Sequence, residues 1–210
     1  MIDLYAGLGG WAEGGLVEGY DVIGFDIERH QYGDHRYPGQ LVIQDVTTLH
    51  GSQLKDAALI VASPPCQEYS YMAMPWKRAK AIAGEYRSGK RDVKKLNALF
   101  DACFRIQREA RSAAGHHIPL IVENVRGAIP WVGRSRCHVG SFYFWGDVPL
   151  LMPTNCAKKQ HGEPSWFYDN YENSARRFSS HSKERKQWSA EIAKIPPEIS
   201  TWVARCFKPR

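Results

Sequence analysis

Long hydrophobic runs are missing from this sequence of 210 residues. No apolar stretch reaches the ~18 residues that a membrane-spanning helix needs. The first residues, MIDLYAG, contain neither a basic region nor a long apolar stretch, so we expect no signal peptide and a cytoplasmic location. Internal repeats and low-complexity linkers are also missing. The composition, 43% hydrophobic and 24% charged, is that of an ordinary globular protein without a membrane partner, and we expect a monomer.

Cysteine is sparse, and none of the five cysteines belongs to a Cys-x-x-Cys pair. An odd number without such a pair argues against a disulfide framework and favours reduced thiols. A zinc site could be drawn from Cys137, His138, Cys156 and His161. Their spacing matches no common zinc pattern, so we predict no bound metal.

Acidic residues are few within residues 76–95, where the positive charge of the chain is concentrated. The net charge is +6, and this segment contains eight basic and two acidic residues, which account for the whole excess. Such a field attracts polyanions, although a solvated helix face is an alternative interpretation. The candidate nucleic-acid contacts are Lys77, Arg78, Lys80, Arg87, Lys90 and Arg91.

Short apolar runs alternate with helix-like segments along the first part of the chain. Five runs are predicted strands: IDLYAG, YDVIGFD, LVIQD, AALIVASPP and IPLIVENV. Continuous apolar strands alternating with helices predict an α/β fold, a mostly parallel sheet with helices on both faces. Ligands of such folds bind at the carboxyl ends of the strands. Polar or reactive residues at or near those ends are Asp3, Asp26, Asp45, Cys66 and Glu123.

Two further segments have the apolar periodicity of helices, residues 93–112 and residues 195–207. Cys103 lies on the apolar stripe of the first, and Cys206 lies on that of the second. Both are therefore predicted to be buried as small hydrophobic residues.

The region after residue 147 differs in character from the core that precedes it. Residues 148–190 are polar, with aromatic side chains among cations. This mixture suits base stacking and phosphate contact, and it equally suits a small satellite core. We predict three parts: a catalytic and cofactor-binding core at 1–147, a small target-recognition segment at 148–190, and a C-terminal helix at 191–210 that completes the core.

Glycines follow the first predicted strand as Gly7, Gly9 and Gly10. Their spacing is neither the dinucleotide-binding G-x-G-x-x-G nor a P-loop, and alone it could be a structural turn. Asp26 ends the second strand, where a carboxylate can bind ribose hydroxyls, and Asp45 ends the third, within reach of an adenine amino group. A nucleoside-bearing cofactor without a phosphate clamp fits these features, and S-adenosylmethionine is one.

The stretch SPPCQEYS places Cys66 directly after two prolines. Each proline restricts its own backbone and that of the residue before it, so the thiol lies at a rigid corner. An electropositive corner near a helix start would favour the nucleophilic thiolate.

Six motifs, DLYAGLGG, GFDIE, QDV, SPPCQEYS, VENV and GRSRCHVGSF, follow one another in this order. Together they resemble the cytosine-C5 methyltransferases of DNA, in particular compact phage or prophage members, which would place the protein in the host cytoplasm. The resemblance covers about residues 3–145 and, more faintly, 195–207. It implies a Rossmann-like fold, S-adenosylmethionine as methyl donor, and double-stranded DNA from which the target cytosine is flipped out.

The resemblance also implies a role for each matching residue. Cys66 would add to C6 of cytosine, Glu123 would contact N3 and the exocyclic amine, and Asn124 would hold the Cys66 loop. Of the paired arginines Arg134 and Arg136, one would face O2 of the base, and the other would support the nucleophile or the DNA backbone. Gln67 and Ser70 would line the cofactor or phosphate side, and residues 76–95 would form a mobile loop over DNA. The implied cofactor-binding residues are Asp3, Tyr5, Ala6, Gly7, Gly9, Gly10, Asp26, Ile27, Asp45, Val46 and Pro65.

The sequence departs from the family pattern at several points. Val132 replaces a glutamine before the arginine pair, and Ile27 stands where many relatives have an aromatic residue. The last motif lacks its Gly-Asn pair before the prolines. The segment 148–190 is short for target recognition, which predicts a relaxed or very short sequence preference.

Three alternatives share these residues. The substrate could be cytosine in RNA, and the donor could be a modified form of S-adenosylmethionine. A nucleic-acid-binding homologue without turnover would keep the fold.

Overall fold

The computed structural model describes residues 1–69, 76–153, 178–179 and 182–209. Seven strands form the central sheet: β1 (Ile2–Leu4), β2 (Ile23–Asp26), β5 (Gln40–Ile43), β6 (Ile60–Ala62), β7 (Leu120–Asn124), β8 (Cys137–Val139) and β9 (Phe142–Gly146). A separate hairpin is formed by β3 (Gln31–Tyr32) and β4 (His35–Arg36). The helices are α1 (Gly10–Val17), α2 (Trp76–Arg87), α3 (Val93–Ala114), α4 (Ile129–Val132), α5 (Lys183–Ala193) and α6 (Pro197–Cys206), with 3-10 turns at Val46–Thr48, Gly51–Leu54 and Arg126–Ala128.

The strand order in the sheet is β5-β2-β1-β6-β7-β9-β8. The first five strands in this order are parallel, and β9 is antiparallel to both β7 and β8. The order in which the chain adds strands reverses between β1 and β6, which makes the carboxyl ends of these two strands a topological switch point. The predicted α/β class with a mostly parallel, Rossmann-like sheet is confirmed.

One face of the sheet is covered by α3. The Asp92 side chain caps this helix by accepting a hydrogen bond from the Lys94 N–H at 2.8 Å. Phe100, Cys103 and Ile106 are buried against the sheet, and each large apolar side chain buried in this way contributes about 1.5–3 kcal/mol. The predictions of a helix over 93–112 and of a buried Cys103 are therefore confirmed.

The other face is covered by α1 and α6, which pack backbone to backbone. A Cβ atom at Gly10 would lie 2.5 Å from the Ile195 nitrogen, and one at Gly14 would lie 2.3 Å from the Ser200 carbonyl carbon. Only glycine allows this approach. The Tyr20 hydroxyl also donates to the Ala204 carbonyl at 3.0 Å, which joins α6 to the turn after α1.

Two expectations about individual elements are wrong. Cys206 is exposed rather than buried, because the buried face of α6 runs through Ile199, Val203 and Ala204 toward Phe207, and Cys206 lies outside it. Most of the segment expected to be a mobile loop at 76–95 is helical, since α2 buries Ala79, Ala83 and Tyr86 at helical spacing. The solvated helix face is thus the better interpretation of its local structure. Most of 148–190 lies outside the described residues.

Candidate active site

Cys66 follows β6 at the switch point, in a turn that its neighbours hold in place. The Tyr69 N–H donates to the Cys66 carbonyl at 3.0 Å. The Tyr69 hydroxyl contacts α3, at the Leu96 carbonyl (3.1 Å) and Asn97 Oδ1 (3.0 Å). The turn that presents the thiol is therefore anchored to the helix covering the sheet.

The neighbouring strand β7 ends in two buried polar residues, Glu123 and Asn124. Asn124 Nδ2 donates to the Pro64 carbonyl at 2.9 Å, and its Oδ1 accepts from the Val125 N–H at 2.8 Å. The first bond is the contact that a residue holding the Cys66 loop would need. Glu123 lies close enough to Cys66 for its charge to affect the thiol.

Both reactive groups are protonated near neutral pH. Burial, followed by the Glu123 charge, raises the pKa of the Cys66 thiol to about 11. Burial also raises the pKa of Glu123 to about 8, although a hydrogen bond from the Ser63 hydroxyl acts in the opposite direction. The expected electropositive corner at a helix start is wrong, because Cys66 precedes a turn and its nearest influential charge is a carboxylate.

A second polar contact reaches this site from α1. Trp11 is buried, and its indole Nε1 donates to Ser63 Oγ at 3.0 Å. The Trp11 ring packs edge-on against Phe144, with centroids 6.3 Å apart. Phe144 is in turn the register partner of Glu123 across β9 and β7. Sequence reasoning missed Trp11 and Ser63, since no local pattern links residues 52 positions apart.

The loop after β1 joins the site from the other side of the switch point. Tyr5 has a φ of 60°, rare for a non-glycine residue, and its hydroxyl donates to the Leu99 carbonyl at 2.9 Å. Gly7 has a φ of 52° and an open environment. By contrast, Gly9 packs against Pro38, and Gly10 packs against the backbone of Ile195, just before α6. Of the three glycines, Gly7 is therefore the one that leaves room for a ligand.

Asp26 binds this loop from the end of β2. Its Oδ2 accepts from the Gly7 N–H at 2.9 Å, its Oδ1 accepts from the Glu28 N–H at 3.3 Å, and His30 Nε2 lies 3.6 Å from Oδ1. Burial alone would raise the pKa of Asp26, but the hydrogen bonds from His30 and the backbone lower it below its ordinary value. The side chain is therefore a carboxylate at neutral pH. His30 is a further residue that sequence reasoning missed.

The other expected cofactor residues differ in their exposure. Ile27 is 68% exposed beside Asp26, and Ile43 is 51% exposed at the end of β5, which offers apolar surface next to carboxylates. Asp45 is exposed and caps the following turn by accepting from the Thr47 N–H at 2.8 Å. Open backbone, carboxylates and exposed apolar side chains at one edge of the sheet fit a nucleoside.

Asp3, Ala6 and Val46 are buried, as are the expected cofactor residues Gly9, Gly10 and Asp26 described above. Asp3 Oδ2 accepts from the Tyr37 hydroxyl at 3.3 Å, while its Oδ1 has no hydrogen-bond partner among the described residues. Burial raises the pKa of Asp3 well above its ordinary value. These side chains support the loop from within the core.

Two cavities lie at opposite edges of the sheet. A cavity of about 430 Å³ lies beside the thiol turn and is lined by Pro65, Gln67, Tyr69 and Leu99, among others. A larger one of about 640 Å³ lies near the amino ends of the strands, and Asp56 is among its lining residues. The smaller cavity lies at the carboxyl edge, where ligands of this fold bind, but its lining includes none of Gly7, Asp26 and Asp45.

The arginine loop lies between α4 and β8. The Gly133 carbonyl accepts a hydrogen bond from Trp145 Nε1 at 3.0 Å, and the Arg136 N–H donates to the Phe144 carbonyl at 2.8 Å. Arg134 and Arg136 are both exposed. Phe144 on β9 is the register partner of both Glu123 on β7 and Cys137 on β8. Arg136 directly precedes Cys137, so one strand, β9, lies between Arg136 and the strand of the buried carboxyl.

The candidate nucleic-acid contacts on and after α2 are exposed: Lys77, Arg78, Lys80, Arg87, Lys90 and Arg91. Arg91 is paired with Glu85, and Arg87 lies over the Trp131 ring at 6.0 Å. Ser70 lies outside the described residues. The structure therefore presents a cationic surface on and after α2, the helix that follows the thiol turn in the chain.

Neither a metal site nor a membrane span is found in the described part of the chain. No three His, Cys, Asp or Glu side chains are grouped there so as to hold a metal ion. Likewise, none of the described helices has the length and apolar character needed to cross a membrane.

Comparisons with known proteins identify a related sequence. Type II methyltransferase M.DdeI of Desulfomicrobium norvegicum is 31% identical over 149 residues, which are 66% of this chain and 31% of that protein. The chain therefore spans less than a third of the length of this relative.

Two solved structures are similar in part. The S. pombe Dnmt2 methyltransferase has a TM-score of 0.36 and 16% identity, over 61% of this chain and 35% of that one. The Entamoeba histolytica methyltransferase EhMeth has a TM-score of 0.35 and 17% identity, over 60% of this chain and 38% of that one. At these scores the superpositions support no conclusion, and the fold assignment rests on the strand order.

The model of one family, C-5 cytosine-specific DNA methylase, matches residues 1–130. This match covers more than half of the chain and includes the glycine loop, the thiol turn, Glu123 and Asn124. The chain belongs to the C-5 cytosine-specific DNA methylases.

Proposed function

We propose that this protein is a DNA cytosine-C5 methyltransferase that uses S-adenosylmethionine and forms a covalent bond between Cys66 and C6 of a flipped-out cytosine. The observation that carries the proposal is the pairing of Cys66 with the buried acid Glu123 at the carboxyl edge of the sheet, in a chain of this family. A thiol next to a protonated carboxyl supplies a nucleophile and a proton donor to one ring.

The chemistry follows from the weak nucleophilicity of cytosine C5. The Cys66 sulfur forms a bond to C6 as its S–H bond breaks and the proton passes to solvent water, while the neutral carboxyl of Glu123 donates a hydrogen bond to N3. The ring then has enamine character, with carbanion density at C5. S-adenosylmethionine, when bound, supplies the electrophilic methyl group to that carbon. Solvent water then takes the C5 proton, and the electron pair of that bond forms the C5–C6 double bond as the C6–S bond breaks. The released sulfur takes up a proton from water, which restores the free enzyme.

The protonation states set the order of events. With a thiol pKa of about 11, Cys66 is almost entirely uncharged in the resting protein. The thiol proton must therefore pass to solvent water as the sulfur attacks the base, because the thiolate is the nucleophile. Glu123, with a pKa of about 8, retains the proton it needs at neutral pH.

The cofactor would be held at the edge formed by Gly7, Asp26, Ile27 and Asp45, with Pro65 on the side of the thiol turn. Asp26 would bind the ribose hydroxyls, Asp45 would approach the adenine amino group, and the exposed Ile27 would pack on the adenine ring. Six further residues would support this edge from the core side: Asp3, Tyr5, Ala6, Gly9, Gly10 and Val46.

DNA would be held by the cationic surface of α2 and by Gln67 and Ser70 next to the thiol. One of Arg134 and Arg136 would contact O2 of the flipped base, and the other would support the nucleophile or the DNA backbone. The base must leave the helix, because C5 and C6 are stacked inside the duplex. With residues 148–190 as the recognition segment, we expect a relaxed or very short sequence preference. Sequencing of modified sites that showed a long, strict motif would contradict this.

A nucleoside digest with mass spectrometry tests the function. The protein and its Cys66→Ala variant are expressed in cells without cytosine methylation, and DNA and RNA are digested separately. We expect 5-methylcytosine in DNA from the first and none from the second. A 5-methylcytosine signal found only in RNA would mean that RNA is the substrate. A modified cytosine of a different mass would mean that the donor is not S-adenosylmethionine itself. Folded, cofactor-binding protein without any product would contradict the proposal and favour an idle binding homologue.

A further inference from the structure

The hydrogen-bond direction between Trp11 and Ser63 has a chemical consequence for the candidate acid. An indole Nε1 can only donate, so at 3.0 Å the Ser63 Oγ must accept this bond. The hydroxyl hydrogen of Ser63 is then directed away from Trp11. A serine hydroxyl has one hydrogen to donate, and its direction is thereby restricted.

The sheet places Ser63 and Glu123 side by side. Strands β6 and β7 are parallel, with Ala62 opposite Val122, and the next residues along each strand are Ser63 and Glu123. Val61 and Ile121, two positions earlier, belong to the same core cluster as Trp11, so all three side chains lie on one face of the sheet. The Ser63 hydroxyl thus lies on the same face as the Glu123 carboxyl, one register position beyond Ala62 and Val122, and as a donor it lowers the pKa of that carboxyl.

The indole itself is held rigidly. Trp11 is 3% exposed and packs edge-on against Phe144, the cross-strand partner of Glu123. The donor, the hydroxyl and the carboxyl therefore share one packed unit, formed by α1, β6, β7 and β9.

We propose that Trp11 and Ser63 are positioning residues that orient the acid: the indole directs the Ser63 hydroxyl, which donates to one Glu123 oxygen and so leaves the carboxyl proton on the other oxygen, facing the base. This inference rests on the proposed function, in which Glu123 donates to cytosine N3. An oxygen that accepts from Ser63 has a reduced affinity for the proton, and the second oxygen carries it. This orientation of the carboxyl proton requires no groups other than Trp11, Ser63 and Glu123.

The test has a readout that does not depend on methylation. Infrared spectra of the DNA-free protein follow the carbonyl stretch of protonated Glu123, assigned by its loss in Glu123→Gln, as a function of pH. The variants are Ser63→Ala, which removes the donor, Ser63→Thr, which keeps it, and Trp11→Phe, which keeps a ring against Phe144 without the N–H. Thermal melts verify that each variant is folded.

We expect Ser63→Ala to raise the pKa of Glu123 above about 8, because the ionised form loses a hydrogen bond. Its kcat for DNA methylation should fall about tenfold at neutral pH, the order expected for the loss of one hydrogen bond. The alkaline limb of the pH profile should move to higher pH. Trp11→Phe should likewise raise the pKa of Glu123 and lower kcat. Ser63→Thr keeps the hydroxyl, so its pKa and kcat should match those of the unmodified protein.

The double variant separates positioning from packing. If Trp11 acts through Ser63, adding Trp11→Phe to Ser63→Ala produces little further loss. Full additivity would overturn the role of Trp11, and an unchanged Glu123 pKa in Ser63→Ala would overturn the whole proposal. If the pKa changes as expected but the unmodified protein makes no methylated base, the proposed function fails and the carboxyl-orienting contact stands.

Discussion

The side-chain amide of Asn124 donates a hydrogen bond to the Pro64 carbonyl over 2.9 Å and so connects the end of β7 to the turn that contains Cys66. Asn124→Ala removes this bond and leaves a buried carbonyl unsatisfied. We expect a loss of about 1–3 kcal/mol in the free energy of unfolding. We also expect slower methylation, because the thiol turn is no longer held. Denaturant unfolding and product formation measure the two effects.

A matched control is available at Gln107, whose Nε2 donates to the Ile118 carbonyl at 2.9 Å. This glutamine is also buried, and it joins α3 to the segment before β7. Gln107→Ala should cost similar stability while affecting methylation less. Equal losses of activity in the two variants at matched stability would argue against a specific role for Asn124.

Folding stability should fall with rising pH because of Glu123. Its pKa is about 8 in the folded protein against an ordinary 4.5, so the folded state binds the proton more tightly than the unfolded state. Stability from this group is complete below pH 4.5, decreases by on the order of 1.4 kcal/mol for each pH unit above it, and levels off beyond about pH 8. Glu123→Gln should remove this contribution. Melting temperatures at several pH values give the comparison, and parallel curves for the two proteins would contradict the raised pKa.

Methylation should lose rate as the pH rises through about 8, because the proton on Glu123 is then lost. The resulting carboxylate also raises the pKa of the neighbouring thiol. The kcat of the unmodified enzyme, measured across this range with saturating DNA, checks the expectation. A rate that keeps rising through about pH 9 would show that thiol ionisation, and not the acid, limits turnover.

The cationic surface of α2 should dominate nonspecific DNA binding. Replacing Lys77, Arg78 and Lys90 by glutamine should weaken affinity and reduce the slope of log K against log salt by ~0.9 for each phosphate that is no longer neutralised. Lys55, Arg108 and Arg111 are exposed cations elsewhere and form a control with the same charge change. Similar decreases in affinity in both triple variants would mean that net charge alone attracts DNA.

Cofactor binding should depend on Asp26 at the carboxyl edge of the sheet. Asp26→Asn weakens its bond to the Gly7 N–H and removes the charge available for the ribose. We expect at least about tenfold weaker binding of S-adenosylhomocysteine by calorimetry. Asp56→Asn, at the cavity near the amino ends of the strands, should leave the affinity unchanged. The reverse pattern would move the cofactor site to that cavity.

The contact between α1 and α6 should be intolerant of a methyl group. Gly14→Ala places a Cβ 2.3 Å from the Ser200 carbonyl carbon, so we expect a loss of about 1–3 kcal/mol. Gly84→Ala is the control, since it lies in α2 with no described atom within 4 Å of the added Cβ. That change should stabilise by about 0.5–1 kcal/mol. Chemical denaturation would measure both, and equal effects would contradict the packing.

The strands and the long helix were predictable from sequence because their burial is periodic. The apolar runs around Ile60 and Leu120 indicate buried strands, and the stripe through Phe100 indicates α3. The α2 helix was less visible, since its buried face consists largely of small residues, Ala79 and Ala83, within a highly charged segment. Cys206 shows the limit of periodicity, because the apolar stripe through Cys206 is offset from the face that α6 buries, which includes Ser200 and Ala204.

The site was predictable as a set of residue types rather than as a geometry. The motifs identify Cys66, Glu123 and Asn124, but not the protonation state of the thiol, which depends on burial and on the neighbouring carboxyl. The bond from Trp11 to Ser63 joins two segments with no shared pattern. Bonds of this kind are set by tertiary packing alone.

The packing of α6 on α1 also bears on how the protein folds during synthesis. The bond from Tyr20 to Ala204 joins residues 184 positions apart. The glycine loop directly precedes α1. Helix α6, which packs on α1, therefore emerges from the ribosome long after the loop itself. A nascent chain can pair β1 with β2 early, yet its cofactor edge gains full support only when the residues of α6 have emerged. Binding of the cofactor would therefore indicate that folding is complete, not that it has begun.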